Sequence, residues 1–482
     1  MHSEGKNNDF DRSENLSSSH SNKRLERFVD AFKVRKITKI KTKYFKRNSK
    51  VKITKPPRPR RVSRKFLLYF FGFIIVVFCT CFFIYQTNLY QTYKLIKSIN
   101  NENLIIGFQN SAELRPTGGF WGSFAVLKSK NSIQDSSLYF ETNPYKMDNL
   151  LLKETNVDLP KPMQEIWHDR PQSFVNANWS FDFPDAAKTI EWYFGQGWDT
   201  KSDGVFAVSS LAMIDLLKLT GPIITSDKTE INSENFSQTM SQKIDTEYWL
   251  KDENKSINEP KIIIKEMAPL LISKVKDLSP IAVFRFAARQ MKQGRILAYF
   301  NSENQNRIAE KIGISGSVKP YGVDYLSINN ANLSGGKSSL MVDQSISYNV
   351  NSTEEKTVAT VEATRSLKQG WPDVPNINYT RIIAPIGSKI ISAFQDSEDI
   401  LDKVDIKDDN GRSTFGFWNS TDVSQTRATQ IKYELPFQNI SNGYNLILQK
   451  QPGTKNDFIK ITINGKVLFD KNLEQSEIKL SN

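Results

Sequence analysis

Residues 204–222 read GVFAVSSLAMIDLLKLTGP, and their pattern decides what kind of fold to expect. Gly204–Val208 is a short apolar run that reads as a buried strand. Ser209 then opens a helix over Leu211–Leu219, and Gly221-Pro222 is a stop signal for it. A buried strand feeding directly into a helix is the repeating unit of sheet-and-helix domains.

The same alternation continues outward. Upstream, Leu104–Phe108, Gly122–Leu127 and Ser137–Glu141 read as strands, rich in apolar, β-branched and aromatic residues. Phe183-Pro184 opens a helix over Asp185–Tyr193, with Asp182 placed to cap it. Downstream, helical spacing covers Lys261–Leu278 and Ile281–Lys292, followed by a strand at Ile296–Phe300 and a helix at Glu303–Ile312. This predicts an α/β (or α+β) domain over residues 101–318. From Tyr321 the helical spacing gives way to short strands at Leu340–Val350, Thr357–Thr364, Arg381–Ala384, Lys389–Ala393, Gln430–Leu435, Tyr444–Gln449 and Phe458–Ile463. Asn464-Gly465, between Thr462 and Val467, is a strong hairpin-turn signal. Residues 319–482 therefore read as one or two all-β, sandwich-like modules.

Ahead of both parts lies Phe66–Tyr85, FLLYFFGFIIVVFCTCFFIY, which holds no charged residue. Twenty residues at about 1.5 Å rise span about 30 Å, the hydrocarbon thickness of a bilayer. The run is preceded by 65 residues, too long a leader for a cleaved signal peptide. We therefore expect one N-terminal transmembrane helix at residues 66–85 and a short stalk helix at residues 86–100. The 33 residues from Lys33 to Lys65 carry 16 basic side chains and no acidic one, whereas Gln86–Tyr93 carries no charge. The positive-inside rule then keeps the basic tail, residues 1–65, in the cytoplasm and exports residues 86–482. The first 30 residues are polar and Ser/Asn-rich, a composition that favours disorder.

The formal net charge of +13 suggests a nucleic-acid partner until it is located. Residues 1–65 hold 21 Lys/Arg against 6 Asp/Glu, and beyond the apolar run 44 basic groups face 46 acidic ones. A nearly neutral bulk removes the electrostatic case for nucleic acid and leaves the lipid bilayer as the partner of the tail. Cys79 and Cys81 are the only cysteines, and both sit in the apolar run. The exported part thus has no disulfide and no thiol nucleophile, which favours a bacterial envelope over a eukaryotic surface. His168 is its single histidine, which excludes a His-rich zinc site. Any chemistry falls to Arg, Lys, Asp, Glu, Asn and backbone amides.

Three stretches carry candidate site residues. In Asn110–Gly122, NSAELRPTGGFWG, Gly118-Gly119 lets the backbone approach a ligand and aim N–H groups at an anion. Thr117 adds a hydroxyl, and Arg115 offers a bidentate fork to phosphate, with Glu113 beside it. The competing reading is a Gly-Gly turn held by a structural Glu113–Arg115 contact. In Phe174–Ala187, Asn176, Asn178 and Asp182 gather before a helix N-terminus, and Trp179 is placed to cover a sugar or lipid-linked ligand. The competing reading there is a helix cap with a packed Trp. Asp203, in Ser202-Asp203-Gly204, reads either as a partner for Arg115 or a metal, or as a turn residue.

In this order the three stretches resemble a bacterial family, the domain of unknown function DUF4012. A pattern like N-x-A-E-x-R-P-x-G-G-F is matched by Asn110, Ala112, Glu113, Arg115, Pro116, Gly118, Gly119 and Phe120. An N-W-S-P-D-F-P-like segment is matched by Asn178, Trp179, Ser180, Asp182, Phe183 and Pro184, with Phe181 standing where the family favours Pro. A third segment is matched by Asp203, Gly204, Val205 and Ala207, and then by Leu216, Leu217, Thr220, Gly221 and Pro222. The resemblance extends over roughly residues 101–400. Val175-Asn176 stands where an Arg-Asp pair is frequent. The family in turn looks distantly like the LytR-CpsA-Psr phosphotransferases, which are anchored by one N-terminal span and move glycopolymer phosphate from a polyprenyl pyrophosphate carrier onto peptidoglycan, often with magnesium. That resemblance implies that Arg115 binds pyrophosphate and that Glu113 or Asp203 orients it or holds Mg2+.

Two functions compete at this stage. One is a membrane-anchored envelope protein that binds or transfers a polyprenyl-pyrophosphate-linked glycopolymer, meeting its membrane-held substrate at high effective concentration. The other is a non-catalytic surface scaffold or adhesion protein. A deep pocket in which Arg115 and two carboxylates converge favours the first, and a filled loop favours the second.

Overall fold

The computed structural model describes residues 90–481 apart from 142, 152–156, 169–171, 199, 320–321, 439 and 441–442. The basic tail and the apolar run Phe66–Tyr85 lie outside the described residues. Among those described, no helix is long and apolar enough to cross a membrane.

The unit quoted first folds as its pattern predicts, with a strand at Gly204–Ser209 and a helix at Ser210–Thr220. Gly221, at φ 78°, ends that helix, and its N–H returns to the Leu217 carbonyl. A left-handed residue of this kind is tolerated best as glycine. The strand belongs to a five-stranded sheet. In chain order its members are β1 (Asn103–Asn110), β2 (Phe120–Lys130), β3 (Ser132–Glu141) and β4 (Gly204–Ser209). A small ribbon of β5 (Ile223–Ile224) and β6 (Glu230–Ile231) intervenes before the last member, β7 (Ile296–Phe300). The order across the sheet is β3-β2-β1-β4-β7. β1 and β4 run parallel, with Leu104 opposite Gly204, while the other pairs are antiparallel.

Side chains of successive strand residues point to opposite faces, and both faces here are covered. Ile105, Val205 and Ala207 join Phe183, Ile190 and Phe194 of the helix Phe183–Gly197 on one face. Leu104 and Phe300 meet Ala309 of the helix Glu303–Lys311 on the other. Leu95 and Ile99 pack there too, so the helical residues 90–98, expected as a stalk, bury a face in this core. The helices Ile262–Lys276 and Pro280–Lys292 follow the expected spacing.

The C-terminal part is built of β-sheets. Its strands are β8 (Asp324–Asn332), β9 (Val342–Ser352), β10 (Thr357–Leu367), β11 (Asn378–Pro385), β12 (Lys389–Gln395) and β13 (Glu398–Asp399). They continue with β14 (Asp405–Asp409), β15 (Arg412–Trp418), β16 (Thr426–Glu434), β17 (Asn445–Gln449), β18 (Phe458–Ile463), β19 (Lys466–Asn472) and β20 (Glu477–Ser481). One sheet has seven strands, β13-β12-β16-β10-β9-β18-β19, and the other six, β14-β15-β11-β8-β17-β20. A single apolar cluster, with Leu326, Ile382 and Phe415 from one sheet and Val361, Ile431 and Ile461 from the other, fills the space between them. Asn464 and Gly465, both at positive φ, make the turn between β18 and β19.

β8 and β11 are buried at every position. A sheet with one face in a core normally alternates buried and exposed residues. Here the outer face is covered by the α/β part: Tyr325 and Ile383 pack with Phe181, and Ala331 and Tyr379 with Leu159 and Met163.

Asp324, at the start of β8, is buried in the β-rich core, where its carboxylate accepts from the hydroxyls of Tyr348 (2.7 Å) and Tyr444. Burial pushes this carboxyl up to about 6, against the pull of those hydrogen bonds. An unfolded Asp titrates near ~3.9, so between those values the folded chain binds more protons than the unfolded one. The stabilisation is present below the lower value and is lost as pH rises through the higher one. Urea unfolding of wild type and Asp324→Asn at about pH 4 and pH 7 should therefore show a larger stability loss with rising pH in wild type. Parallel losses in the two proteins would refute the assignment.

Candidate functional site

Residues 111–119 join β1 to β2 by a connection too long for a tight hairpin turn, and it folds back on itself. Glu113 N–H donates to the Asn110 carbonyl (3.1 Å), Gly118 N–H to that of Arg115 (2.9 Å), and Phe120 N–H to that of Glu113 (2.8 Å). The diglycine has a packing reason. A Cβ on Gly119, whose φ is 154°, would lie 2.5 Å from the Asn110 carbonyl, and one on Gly453 would collide with the Gly118 carbonyl. The loop is thus pressed between its own strand and the turn after β17.

Arg115 sits at the centre of this loop and is 1% exposed. Its Nη2 donates to Glu113 Oε1 at 2.9 Å, and its Nη1 donates to the carbonyls of Asn332 and Leu114. The rings of Phe120 and Trp167 lie 5.5 and 5.7 Å from the guanidinium carbon. Burial lowers its pKa and the Glu113 charge raises it, so ion pairing compensates part of the desolvation. The loop backbone is equally committed. Gln451 Nε2 donates to the Arg115 carbonyl (3.1 Å), Asn329 Nδ2 to the Pro116 carbonyl (3.1 Å), and Asn332 N–H to the Leu114 carbonyl (2.9 Å).

Thr117 and Asn178 meet below the diglycine. Asn178 Nδ2 donates to Thr117 Oγ1 and to the Gly119 carbonyl, both at 2.9 Å, while Gln109 Nε2 donates to the same hydroxyl at 2.7 Å. Asn176 donates to Ser173 Oγ at 3.2 Å. Trp179 lies 4.5 Å from the Arg381 guanidinium carbon, and Arg381 donates to the Trp179 carbonyl. Asp182 caps its helix by accepting from Asp185 N–H (3.3 Å), and also accepts from Val318 N–H (2.7 Å).

Asp203 does not join this group. Its carboxylate accepts from Asn103 N–H at 2.8 Å, at the beginning of β1, whereas Arg115 follows the end of β1. Eight strand residues at about 3.3 Å each put roughly 25 Å between the two ends. A magnesium ion held jointly by Glu113 and Asp203 does not fit this arrangement. Among the described residues no group of three or more His, Cys, Asp or Glu side chains is placed to hold a metal ion.

Lys261 has no signal in the sequence, where it opens an ordinary expected helix; in the structure it stands just before Ile262–Lys276. Its ammonium donates to the Gly122 carbonyl and lies 5.7 Å from the Phe120 ring and 5.5 Å from the Tyr145 ring. Burial pushes it down to about 8. Gln451 and Asn332, which close the loop from the β-rich part, lie more than two hundred residues from Arg115. The run of asparagines in Ser327–Leu333 is the one hint that a strand there buries polar side chains.

Residues 100–244 match the family described as "Protein of unknown function (DUF4012)". The match covers the three motif stretches and ends well short of the roughly 400 expected from the resemblance. A search of curated proteins gives no match. Among solved structures, a candidate nutrient-binding protein of Legionella pneumophila aligns with TM-score 0.24 and 6% identity, over 33% of this chain and 70% of that one. An M1 zinc metallopeptidase from Deinococcus radiodurans aligns with TM-score 0.16 and 12% identity, over 25% of this chain and 31% of that one. Leukotriene A4 hydrolase of Saccharomyces cerevisiae aligns with TM-score 0.14 and 10% identity, over 30% of each chain.

Removing one member of a buried ion pair leaves the other charge uncompensated and costs about 3–5 kcal/mol. Arg115→Met should therefore lower unfolding free energy by about that amount, and Glu113→Gln/Arg115→Met should recover part of it. Denaturant unfolding of the single and double variants measures the coupling. Strictly additive losses would show that the pair is not a unit.

Proposed function

We propose, taking the DUF4012 match of residues 100–244 as the premise, that this chain is a membrane-anchored cell-envelope protein of bacterial type. In this reading the exported part is a non-catalytic scaffold, and the N-x-A-E-x-R-P-x-G-G-F motif is its internal clasp. The observation that carries the reading is the burial of Arg115. Its terminal nitrogens donate to Glu113 and to the carbonyls of Leu114 and Asn332. A guanidinium so placed contributes to holding the β-rich part against the α/β part, and a pyrophosphate reaches it only if those contacts break.

Topology supports the envelope half of the reading by sequence alone: an uncharged twenty-residue run flanked on one side by cations. The second reading, a glycopolymer transferase like the LytR-CpsA-Psr enzymes, draws on the same anchor and on effective concentration at the membrane. It asks Arg115 to give up its present partners for a phosphate.

The two readings separate in one assay. The full chain is reconstituted in vesicles with a polyprenyl-pyrophosphate-linked glycan, magnesium and peptidoglycan. A scaffold gives no transfer product, and Arg115→Lys changes the thermal midpoint and nothing else. Transfer by wild type, lost in an Arg115→Lys protein that keeps the wild-type midpoint, would establish the transferase. Protease added to intact cells should digest residues 86–482 and spare the basic tail, and the reverse pattern would invert the topology.

A further inference from the structure

A cavity lies beside the turn at Pro452, which packs on the motif loop at Gly118. It has a volume of about 530 Å³ and opens where the helices Pro280–Lys292 and Glu303–Lys311 end against the strand ends of the β-rich part. That volume falls within the range of small-molecule sites. Its wall has two characters. Phe284, Met291, Leu297 and Ile312 supply an apolar side. Lys292, Lys311, Lys319 and Lys450 line it as well, against Glu310 and Glu477.

The four lysines are not equivalent. Lys319 stands between Glu310 and Glu477, at 3.6 and 3.7 Å. Lys450 is buried and donates to Asn456 Oδ1 at 2.9 Å. Lys292 and Lys311 are exposed and make no ion pair among the described residues. Each ends a helix, where a cation complements the dipole, and an ammonium in that position remains able to meet an anion.

A third observation concerns place. Thr92 lines the same cavity and stands seven residues after Tyr85, the last residue of the apolar run. Seven residues reach at most about 25 Å when fully extended. The helix that carries Thr92 also exposes Tyr90 and Tyr93 by 53% each, with Lys94 and Lys97 over their rings. Exposed tyrosines and lysines next to a span are residues of the membrane–water interface.

We propose that this cavity binds the phosphate-bearing head of an amphiphile, with Lys292 and Lys311 meeting the phosphate and the Phe284–Met291–Ile312 side receiving the first apolar groups. The proposal rests on the membrane-anchored reading for its source of ligand and not on any role for Arg115. A lipid headgroup and a free phosphate share this chemistry, and the apolar wall favours the lipid.

The full chain, purified in a neutral detergent, is titrated with short-chain phosphatidic acid, the matching phosphatidylcholine, and inorganic phosphate, with retention read by native mass spectrometry. Phosphatidic acid should bind one per chain, and the other two at least about tenfold more weakly. Two exposed cations near a headgroup make about a tenfold or greater loss the expectation for Lys292→Ala/Lys311→Ala, at an unchanged thermal midpoint. Equal binding of inorganic phosphate and phosphatidic acid would overturn the amphiphile. Undiminished phosphatidic acid binding in the double variant would overturn the site. Alkaline extraction of cell membranes tests the anchor separately. A chain that washes off yet still binds phosphatidic acid through Lys292 and Lys311 would refute the membrane reading and leave the ligand class standing.

Discussion

A guanidinium shut off from water needs protein partners for its donors, and supplying them to the terminal nitrogens of Arg115, with Nε left unpaired, is the constraint on which the contact between the two parts depends. Glu113 supplies the opposite charge from two residues away, and Leu114 supplies a carbonyl from the same loop. The remaining acceptor, the Asn332 carbonyl, belongs to the last residue of β8, in a different part of the chain. Leaving a buried donor without a partner costs about 1–3 kcal/mol, and more for a charged group. The α/β part therefore buries its own arginine well only with the β-rich part in place.

That dependence explains a six-stranded sheet with no exposed residue on two of its strands. By strand alternation Leu326, Ile328 and Ile382 face the inter-sheet core together with the buried Asn330, Asn378 and Thr380, while Asn329 and Arg381 stand on the outer face with Tyr325, Ala331, Tyr379 and Ile383. Buried polar groups need hydrogen-bond partners, and most of these find them, Asn378 Oδ1 being left without one. Asn378 and Thr380 bond to Asn330 at 3.0 and 2.9 Å, and Arg381 reaches the Trp179 carbonyl and Asn329. The contact between the two parts is directional at Asn329 and Arg381, whose bonds to the Pro116 and Trp179 carbonyls would break if one part slid over the other.

Much of this architecture was legible in the sequence because strand and helix periods are local. Gly204–Val208, Ile296–Phe300 and the helix after Pro280 lie within a residue or so of their expected limits, and Asn464-Gly465 makes its turn. Short helices such as Tyr145–Leu151 and Lys161–Trp167 were not legible, for they are stabilised by what they pack on more than by their own spacing. At the candidate site the Glu113–Arg115 contact could be read at a separation of two residues. The surroundings that decide its meaning could not, because Asn332 and Gln451 are brought in by tertiary pairing. A Gly-Gly pair looks the same in sequence whether a ligand or another strand of chain comes close to it. At Gly119 it is the chain's own Asn110 backbone, and at Gly118 the turn at Pro452-Gly453.

Position within the sheet gives the scaffold reading its wider physical sense. In open sheets with parallel strands, ligands gather at the carboxyl ends of those strands. β1 and β4 are the parallel pair here, and the motif loop, Asn178 and Ser210 all stand at that end, with Ser111 N–H donating to Ser210 Oγ at 3.0 Å. The space above them is taken by β8 and Gln451. The β-rich part thus occupies the place where such a sheet would receive a ligand. A cavity lies instead where the helices Pro280–Lys292 and Glu303–Lys311, before and after β7, meet residues 449–452 and 475–477 of that same part. Filling the first place and leaving the second open are two consequences of one docking geometry, so the clasp at Arg115 and the lysine-lined cavity stand or fall on the same seating of the two parts.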